Sequence, residues 1–496
     1  MAFVQNFPFF SIVLSMFAGT VSSVLPEKAA KYLNMAVIIT VGAMSAVLLG
    51  FTIQTGESYT YMMGHFPAPW GNEIRAGVLE AGMALFFCII MLLSLFGGRK
   101  KLLDEVELSK HNLYYIMVNL LLSSLLALIY TNDLFTAYVF VEINTISACG
   151  LIMIRENGRT IEAAVRYMIM SLLGSGLLLI GICMLYDLTG HLLMSNIREA
   201  VAHIVADGTY MVPLLVTIAL MSIGLAIKSA LFPFHSWLPD AYGYSTVSSA
   251  AILSSLVSKG YIFLLIKIFY RVIGFDIIRQ SRIIHVLFVF GLAGMIFGSL
   301  SAIREKDIRR MIAFSSVAQI GYIYMGIGLG TTVGMVASVF HVLCHAATKS
   351  LLFVSAIGLT DVSGGSRRFK DLTGAAYRNK IAGAAFTVGS LSMVGVPIFA
   401  GFISKMLFAR AAVYNTGKVL PAMVVLAVST ILNAIYFMKT VIRIYTPVQT
   451  EYTCITWKQE KLYTVTLVLF IILNVALGMN SQPIVDMIQM GLSMFD

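Results

Sequence analysis

Apolar runs of roughly 20 residues, each long enough to cross a hydrocarbon layer ~30 Å thick, follow one another along almost the whole chain. They fall near 9–25, 33–54, 78–97, 112–130, 133–153, 162–186, 211–230, 247–270, 283–302, 310–329, 333–359, 380–413, 420–442 and 461–480. Lipid offers no partner for a backbone N–H or C=O, so each run must satisfy its own as a helix. The expectation is an all-α polytopic membrane protein with about fourteen transmembrane helices. Composition agrees: of 496 residues, 58% are hydrophobic and 12% charged. A soluble domain could neither bury that much apolar surface nor solvate its exterior with so few charges. The opening stretch, MAFVQNFPFFSIVLSMFAG, has no basic segment ahead of its apolar run and reads as a retained first span.

Lysine and arginine fall on alternate connections. One set holds Lys28 and Lys31; Arg99, Lys100 and Lys101; Arg155 and Arg159; Arg304, Lys306, Arg309 and Arg310. It continues with Arg367, Arg368, Lys370, Arg378 and Lys380, and ends at Arg443 and Lys458. The other set is sparse: Arg75, Arg198, Arg279, Arg282 and Lys418. By the positive-inside rule the richer set is cytoplasmic, the number of spans is even and both termini lie on the outer side. The net charge of +10 is then topological and implies no nucleic-acid partner. Cys88, Cys149, Cys183, Cys344 and Cys454 form no CxxC pair, which speaks against iron–sulfur ligation and a disulfide framework. With no GxGxxG after a strand and no CxxCH, no cofactor is expected in this chain.

Two runs carry a proline in polar company: KSALFPFHSWLP (228–239), with Pro233 and His235, and VGVPIFAGFISK (394–405), with Pro397. Proline lacks the backbone donor, so the seventh and twelfth helices should break there. They lie five helices apart. An odd offset reverses direction across the membrane, so the two halves read as inverted repeats, a pattern that marks transport sites.

A charge near the centre of a span costs roughly 2.5–3.5 kcal/mol on insertion scales. Several occur here. Glu142 lies in AYVFVEINTISACG, Lys228 in GLAIKSALFPF, Lys259 in LSSLVSKGYIFLL and Lys405 in GFISKMLF. HVLCHAATKS (341–350) sets His341, His345 and Lys349 four residues apart, on one helix face. Singly, each has a structural reading. Any of the four former groups could sit in an ion pair, and Glu162 with Arg166 reads as a pair at the inner end of the sixth span. Lys267, Lys439 and Arg443 read as snorkelling to the headgroups, with Lys349 approaching the inner interface. Two histidines at i, i+4 can bind zinc, but no third ligand is in view. Together, an acid, three lysines and two histidines on five helices suggest a proton file. A buried ammonium holds its proton while a carboxylate is near and gives it up when the carboxylate withdraws. Imidazole titrates near neutrality and can bridge such groups.

Four stretches carry a resemblance. KSALFPFHSWLPDAY (228–242), VSSAAILSSLVSKGYIFL, REKDIRRMIAFSSVAQIGYI (304–323) and HVLCHAATKSLLF resemble the antiporter-like membrane subunits of respiratory complex I, Mrp-type cation/proton antiporters and membrane-bound nickel–iron hydrogenases. The likeness runs from about residue 110 to 440. It implies inverted five-helix repeats at helices four to eight and nine to thirteen. The segments are then 1–110 (three N-terminal helices), 111–272, 280–445, and 446–496 (a C-terminal helix and amphipathic tail). It also implies roles. Glu142 pairs with and modulates Lys228, Lys259 is the central relay, His341 and His345 hand protons across the repeat boundary, and Lys405 serves the exit side. A lysine at 405 sets the chain apart from the class with glutamate there. GYSTVSSA lacks the proline usual before this element, and the short stretch after the last span resembles the shorter members.

The implied function is translocation of protons, with Na+ coupling as the alternative, by a subunit that does no redox chemistry itself. Its partners would be homologous antiporter-like subunits, small membrane subunits and, in a redox-driven complex, a peripheral iron–sulfur arm, all in the cell membrane. A stand-alone secondary transporter and a structural subunit without an ion path are the competing readings. The motifs are common to all three assemblies and do not separate them.

Overall fold

Thirteen helices among the described residues are long and apolar enough to cross a membrane. The remaining crossing, the twelfth, is split into Lys380–Val394 and Ala400–Val413. The computed structural model describes residues 3–63, 66, 71–448 and 460–495, so Cys454 and Lys458 lie outside the described residues. In chain order the crossings are Val4–Ser22, Glu27–Thr55, Val78–Glu105, Leu108–Tyr130, Leu134–Met153, Gly158–Thr189 and Met211–Lys228. Then follow Val247–Ile273, Ile283–Arg304, Ile308–Gly328, Thr332–Asp361, the split twelfth, Val419–Ile444 and Lys461–Met479. The expected architecture of fourteen crossings with broken seventh and twelfth helices is what the chain adopts.

The fourth packs on the fifth as the ninth packs on the tenth, and the fifth on the sixth as the tenth on the eleventh. The fourth and eighth touch as the ninth and thirteenth do. Each partner in these matched sets lies five crossings on and runs the opposite way. Closeness at the tightest pairs comes from glycine. A Cβ at Gly321 of the tenth crossing would lie 2.6 Å from the Gly291 oxygen and 2.7 Å from the Met295 nitrogen. In the first half, a Cβ at Gly224 would lie 2.6 Å from the Gly174 oxygen, which joins the sixth and seventh crossings the same way.

Burial is graded from rim to centre. The most hydrophobic stretches of the eighth and eleventh crossings are wholly buried, whereas only a third of the first and second are. The helices carrying Lys259 and the histidine pair therefore touch protein on every side.

The two breaks follow proline chemistry. In the seventh crossing the helix stops at Lys228 and resumes at Leu238–Tyr244. It ends ahead of Pro233 because a proline ring collides with the carbonyl four residues earlier, here Ser229, and Ala230 takes a left-handed turn (φ 62°). In the twelfth, Gly395 (φ 91°) and Ile398 (φ 85°) flank Pro397.

Three local features lie beyond the sequence reading. The eighth crossing contains π-helical turns at Leu253–Val257 and Ile268–Ile273. A short helix, Met194–Asp207, precedes the seventh crossing and buries Met194, Ile197, Val201 and Ile204, a stripe at helical spacing. A hairpin pairs Tyr59–Met62 with Glu73–Ala76. The hairpin gathers the chain ends: Tyr59 donates to the Gln5 carbonyl (3.2 Å), and Arg75 to that of Met494, beyond the amphipathic helix Ser481–Ser493 (2.6 Å). Both ends thus share one face, as an even number of crossings requires.

Gly321→Leu should cost about 1–3 kcal/mol or more by forcing the ninth and tenth crossings apart. Gly176→Leu, where nothing lies within 4 Å of the added carbon, should stay within about 0.5 kcal/mol of the parent. Thermal unfolding in detergent compares them, and equal midpoints would refute the close-packing account.

Candidate functional site

Glu142 and Thr145 stand one turn apart on the fifth crossing and present one face to Lys228. The Lys228 ammonium donates to Thr145 Oγ1 at 2.7 Å, with Glu142 Oε1 at 3.6 Å. Lys228 is fully enclosed, whereas the glutamate side chain is 27% exposed. The carboxylate thus sits at the rim of the site and the ammonium within it. Around them runs a polar lattice. The Tyr261 hydroxyl donates to Asn144 Oδ1 (3.0 Å), the Asn144 amide donates to Ser124 Oγ (3.0 Å), and Lys228 faces the Tyr261 ring at 5.4 Å. Tyr261 belongs to the eighth crossing, so this lattice connects the Glu142–Lys228 pair to the helix that carries Lys259.

Lys259 is fully buried. Its ammonium donates to the Ser254 carbonyl, inside the first π-helical turn, and to Ser258 Oγ at 3.2 Å. Among the described residues it makes no ion pair, and no hydrogen bond joins it to Lys228 or to the histidines.

The second half holds the tightest cluster. The rings of His341 and His345 lie 5.9 Å apart and nearly parallel. His341 Nδ1 meets Ser404 Oγ at 2.5 Å, and its ring stacks on Tyr322 at 5.6 Å. Lys405 reaches back across the break to donate to the Val394 carbonyl (2.6 Å) and to Thr430 Oγ1 (3.1 Å). Val394 ends the first half of the twelfth crossing, so the ammonium sits on the negative end of a helix dipole. A cavity of about 10 Å³, room for about one water, separates His341, His345 and Lys405. Gln319 Nε2, His341 Nε2 and both His345 ring nitrogens have no hydrogen-bond partner among the described residues. Gln319, a lone amide in SSVAQIGYI, completes this cluster and was not among the sequence candidates.

Other expectations are corrected. Lys349 is not exposed at an interface: it is fully buried and donates to the Ile312 carbonyl (2.8 Å) and Ser315 Oγ of the tenth crossing. Lys267 does not snorkel either. It donates to the carbonyls of Leu128, Ile129 (2.8 Å) and Thr131. These are the last carbonyls of the fourth crossing, which a helix cannot satisfy itself. Beside it lies a fully buried ion pair, Glu80–Arg271, which the sequence reading also missed. Glu80 accepts from the Gly77 N–H at the helix start (3.1 Å), and Arg271 lies 4.1 Å over the Phe495 ring. Glu162 does pair with Arg166 (2.6 Å), which also reaches Asp240 (2.8 Å). His235 stacks on Phe232 within the seventh-crossing break, and Pro233 and Pro397 are exposed at the two breaks.

Residues 131–432 match the family described as NADH:quinone oxidoreductase/Mrp antiporter, TM. The NADH-quinone oxidoreductase subunit N of Desulforudis audaxviator is 32% identical over 443 residues, spanning 89% of this chain and 86% of that one. A Na(+)/H(+) antiporter subunit of Alkalihalophilus pseudofirmus is 27% identical over 362 residues, 73% of this chain and 71% of its own. Among solved structures, a chain of an archaeal membrane-bound sulfane sulfur reductase superposes with a TM-score of 0.88 at 24% identity, covering 100% of this chain and 98% of that one. A chain of the Mrp complex from Dietzia sp. gives 0.86, also at 24% identity and with the same coverage. At this identity the structures establish a shared fold.

Glu80→Ala should destabilise the protein by about 3–5 kcal/mol, since it strands a buried guanidinium. Glu80→Leu combined with Arg271→Met should restore most of that loss. Denaturation midpoints of the three proteins decide it; a double variant as weak as the single one would show that the charge pair is not the source.

Proposed function

Because the chain belongs to the NADH:quinone oxidoreductase/Mrp antiporter membrane family, we propose that it is a proton-translocating subunit of a multisubunit membrane complex, with its ion path along the buried polar groups of the two repeats. In this reading Glu142 governs how firmly Lys228 holds its proton. Lys259 is the central station, His341 and His345 pass the proton across the repeat boundary, and Lys405 delivers it on the far side. Gln319 lines the junction between the histidines and Lys405.

The observation that carries the reading is an excess of buried ammonium over carboxylate. Lys228, Lys259, Lys267 and Lys349 are all fully buried. Among the described residues only Lys228 of these four has a carboxylate within ion-pair distance. A scaffold needs no such groups, because a charge inside a membrane protein is costly and is otherwise paired. Lys267 closes a helix end, and Lys259 and Lys349 are left with hydroxyl and carbonyl partners that can hold a neutral amine as well as an ammonium.

In the same reading the protein sits in a cell membrane with its arginine-rich connections inside and both termini outside. It works beside homologous membrane subunits. The driving energy comes from a redox arm or from a Na+ gradient, and nothing in this chain supplies electrons.

The test is reconstitution of the intact complex in vesicles with a pH-sensitive dye inside. Lys259→Ala should lower coupled proton movement by about 100-fold, the scale of losing a positioned proton-transfer group. Glu142→Ala should impair it less than Lys228→Ala. Cys183→Ala, at an exposed position, serves as control. Undiminished transport in an assembled Lys259→Ala complex would leave the scaffold reading standing.

A further inference from the structure

A cavity of about 740 Å³ at the inner face opens where the two repeats meet. Cations converge on it from separate segments: Lys306 before the tenth crossing, Arg368 and Lys370 before the twelfth, Lys439 and Arg443 at the inner end of the thirteenth. None of these five side chains makes an ion pair or side-chain hydrogen bond with a described residue. Arg310, also in the wall, is already engaged by Asp240 and Glu305. Two carboxylates line the wall: Glu305 is the one paired with Arg310, and Asp307 caps the tenth crossing, accepting from the Arg309 N–H at 2.8 Å.

Such a cavity is a poor mouth for a cation path, because several uncompensated positive charges raise the local potential against any entering cation. It suits an anion. Its position also selects the kind of anion. The thirteenth crossing, Val419–Ile444, leaves Val424, Val428, Ile431, Ile435 and Ile442 exposed, a stripe at helical spacing that runs along most of the helix toward the cavity. Lys439, four residues past Ile435, continues the stripe to the cavity rim. Apolar Ile303, Met311 and Phe369 line the cavity between its charges.

We propose that this cavity binds the headgroup of an anionic phospholipid of the inner leaflet, with the acyl chains laid along the exposed stripe of the thirteenth crossing. Phosphate oxygens accept hydrogen bonds from Lys439, Arg443 and the loop cations, and the stripe supplies the apolar contact that a free phosphate lacks. The site lies apart from Lys259, the histidines and Lys405, so it stands or falls independently of the ion path.

The experiment titrates the delipidated intact complex with phosphatidylglycerol or phosphatidylcholine and counts retained lipid by native mass spectrometry. The expected result is saturable retention of phosphatidylglycerol in preference to phosphatidylcholine. Each basic residue near an anionic headgroup contributes a factor of about five, so Lys439→Gln with Arg443→Gln should weaken binding about 30-fold. Lys306→Gln with Arg368→Gln, on the connections, should do the same and covers the case in which the helix variant does not assemble. Equal retention of both lipids by the parent complex would overturn the proposal, as would unchanged phosphatidylglycerol binding in both charge variants. Complete displacement by millimolar inorganic phosphate would overturn it in favour of a soluble anion.

Discussion

Unsatisfied charge and unpaired backbone are intolerable in hydrocarbon, and that constraint organises the whole molecule. The crossings that carry Lys259, His341, His345 and Lys349 are the ones that lipid never reaches. Keeping them enclosed requires other helices to pack closely around them, and the glycine contacts at Gly321 and Gly224 are where that closeness is achieved. The peripheral first and second crossings, by contrast, carry no ionisable group in their apolar centres. Polarity inside and apolarity outside is the reverse of a soluble domain, and it follows from the solvent alone.

The buried lysines meet this constraint in two ways. Lys267 sits on the last carbonyls of the fourth crossing, and Lys418 donates to the Gly328 carbonyl at the end of the tenth (2.5 Å). These ammonium groups close helix ends, where the dipole is negative and carbonyls lack partners. Lys259 and Lys349 instead face a hydroxyl and a single carbonyl in mid-helix surroundings, and Lys228 faces a threonine and a more distant carboxylate. In the first arrangement the oxygen partners also carry the negative end of a helix dipole; in the second they do not. Lys405 combines them, since it caps Val394 and also borders the cavity shared with the histidines.

Hydropathy made the crossings legible because any span, central or peripheral, must be apolar for about 20 residues. It could not tell which spans face lipid and which face protein, and the errors over Lys267 and Lys349 follow from that. A lysine snorkels only if a headgroup is within reach, and both of these are walled in. The prolines announced the two breaks, although the seventh ends earlier than Pro233 because the clash falls four residues upstream. The π-helical turns are shifts of hydrogen-bond register and leave no mark in residue type. Met194–Asp207 was legible in principle, as its apolar stripe has helical spacing. Gln319 was hidden by its neutrality: a search for charges passes over an amide, though an amide in lipid equally needs partners.

The polar groups form separate clusters rather than one continuous wire. Glu142, Lys228 and Tyr261 make one, Lys259 a second, and His341, His345, Gln319 and Lys405 a third, with room for about one water inside it. The buried Tyr436, at the wall of the large cavity, donates to Asn433, which in turn donates to Tyr322 beside His341 (3.4 Å). An amide in that position interrupts proton hopping, because it cannot accept a proton at one end and release it at the other at the speed of water. Such interruptions are what a coupled translocator requires. An unbroken file of water and titratable groups would dissipate any proton gradient across the membrane, whereas clusters joined only when water enters between them let movement wait on a change in charge. Glu142 is partly exposed while its partner Lys228 is enclosed, so a small displacement of the carboxylate alters the field at the ammonium without opening the bundle.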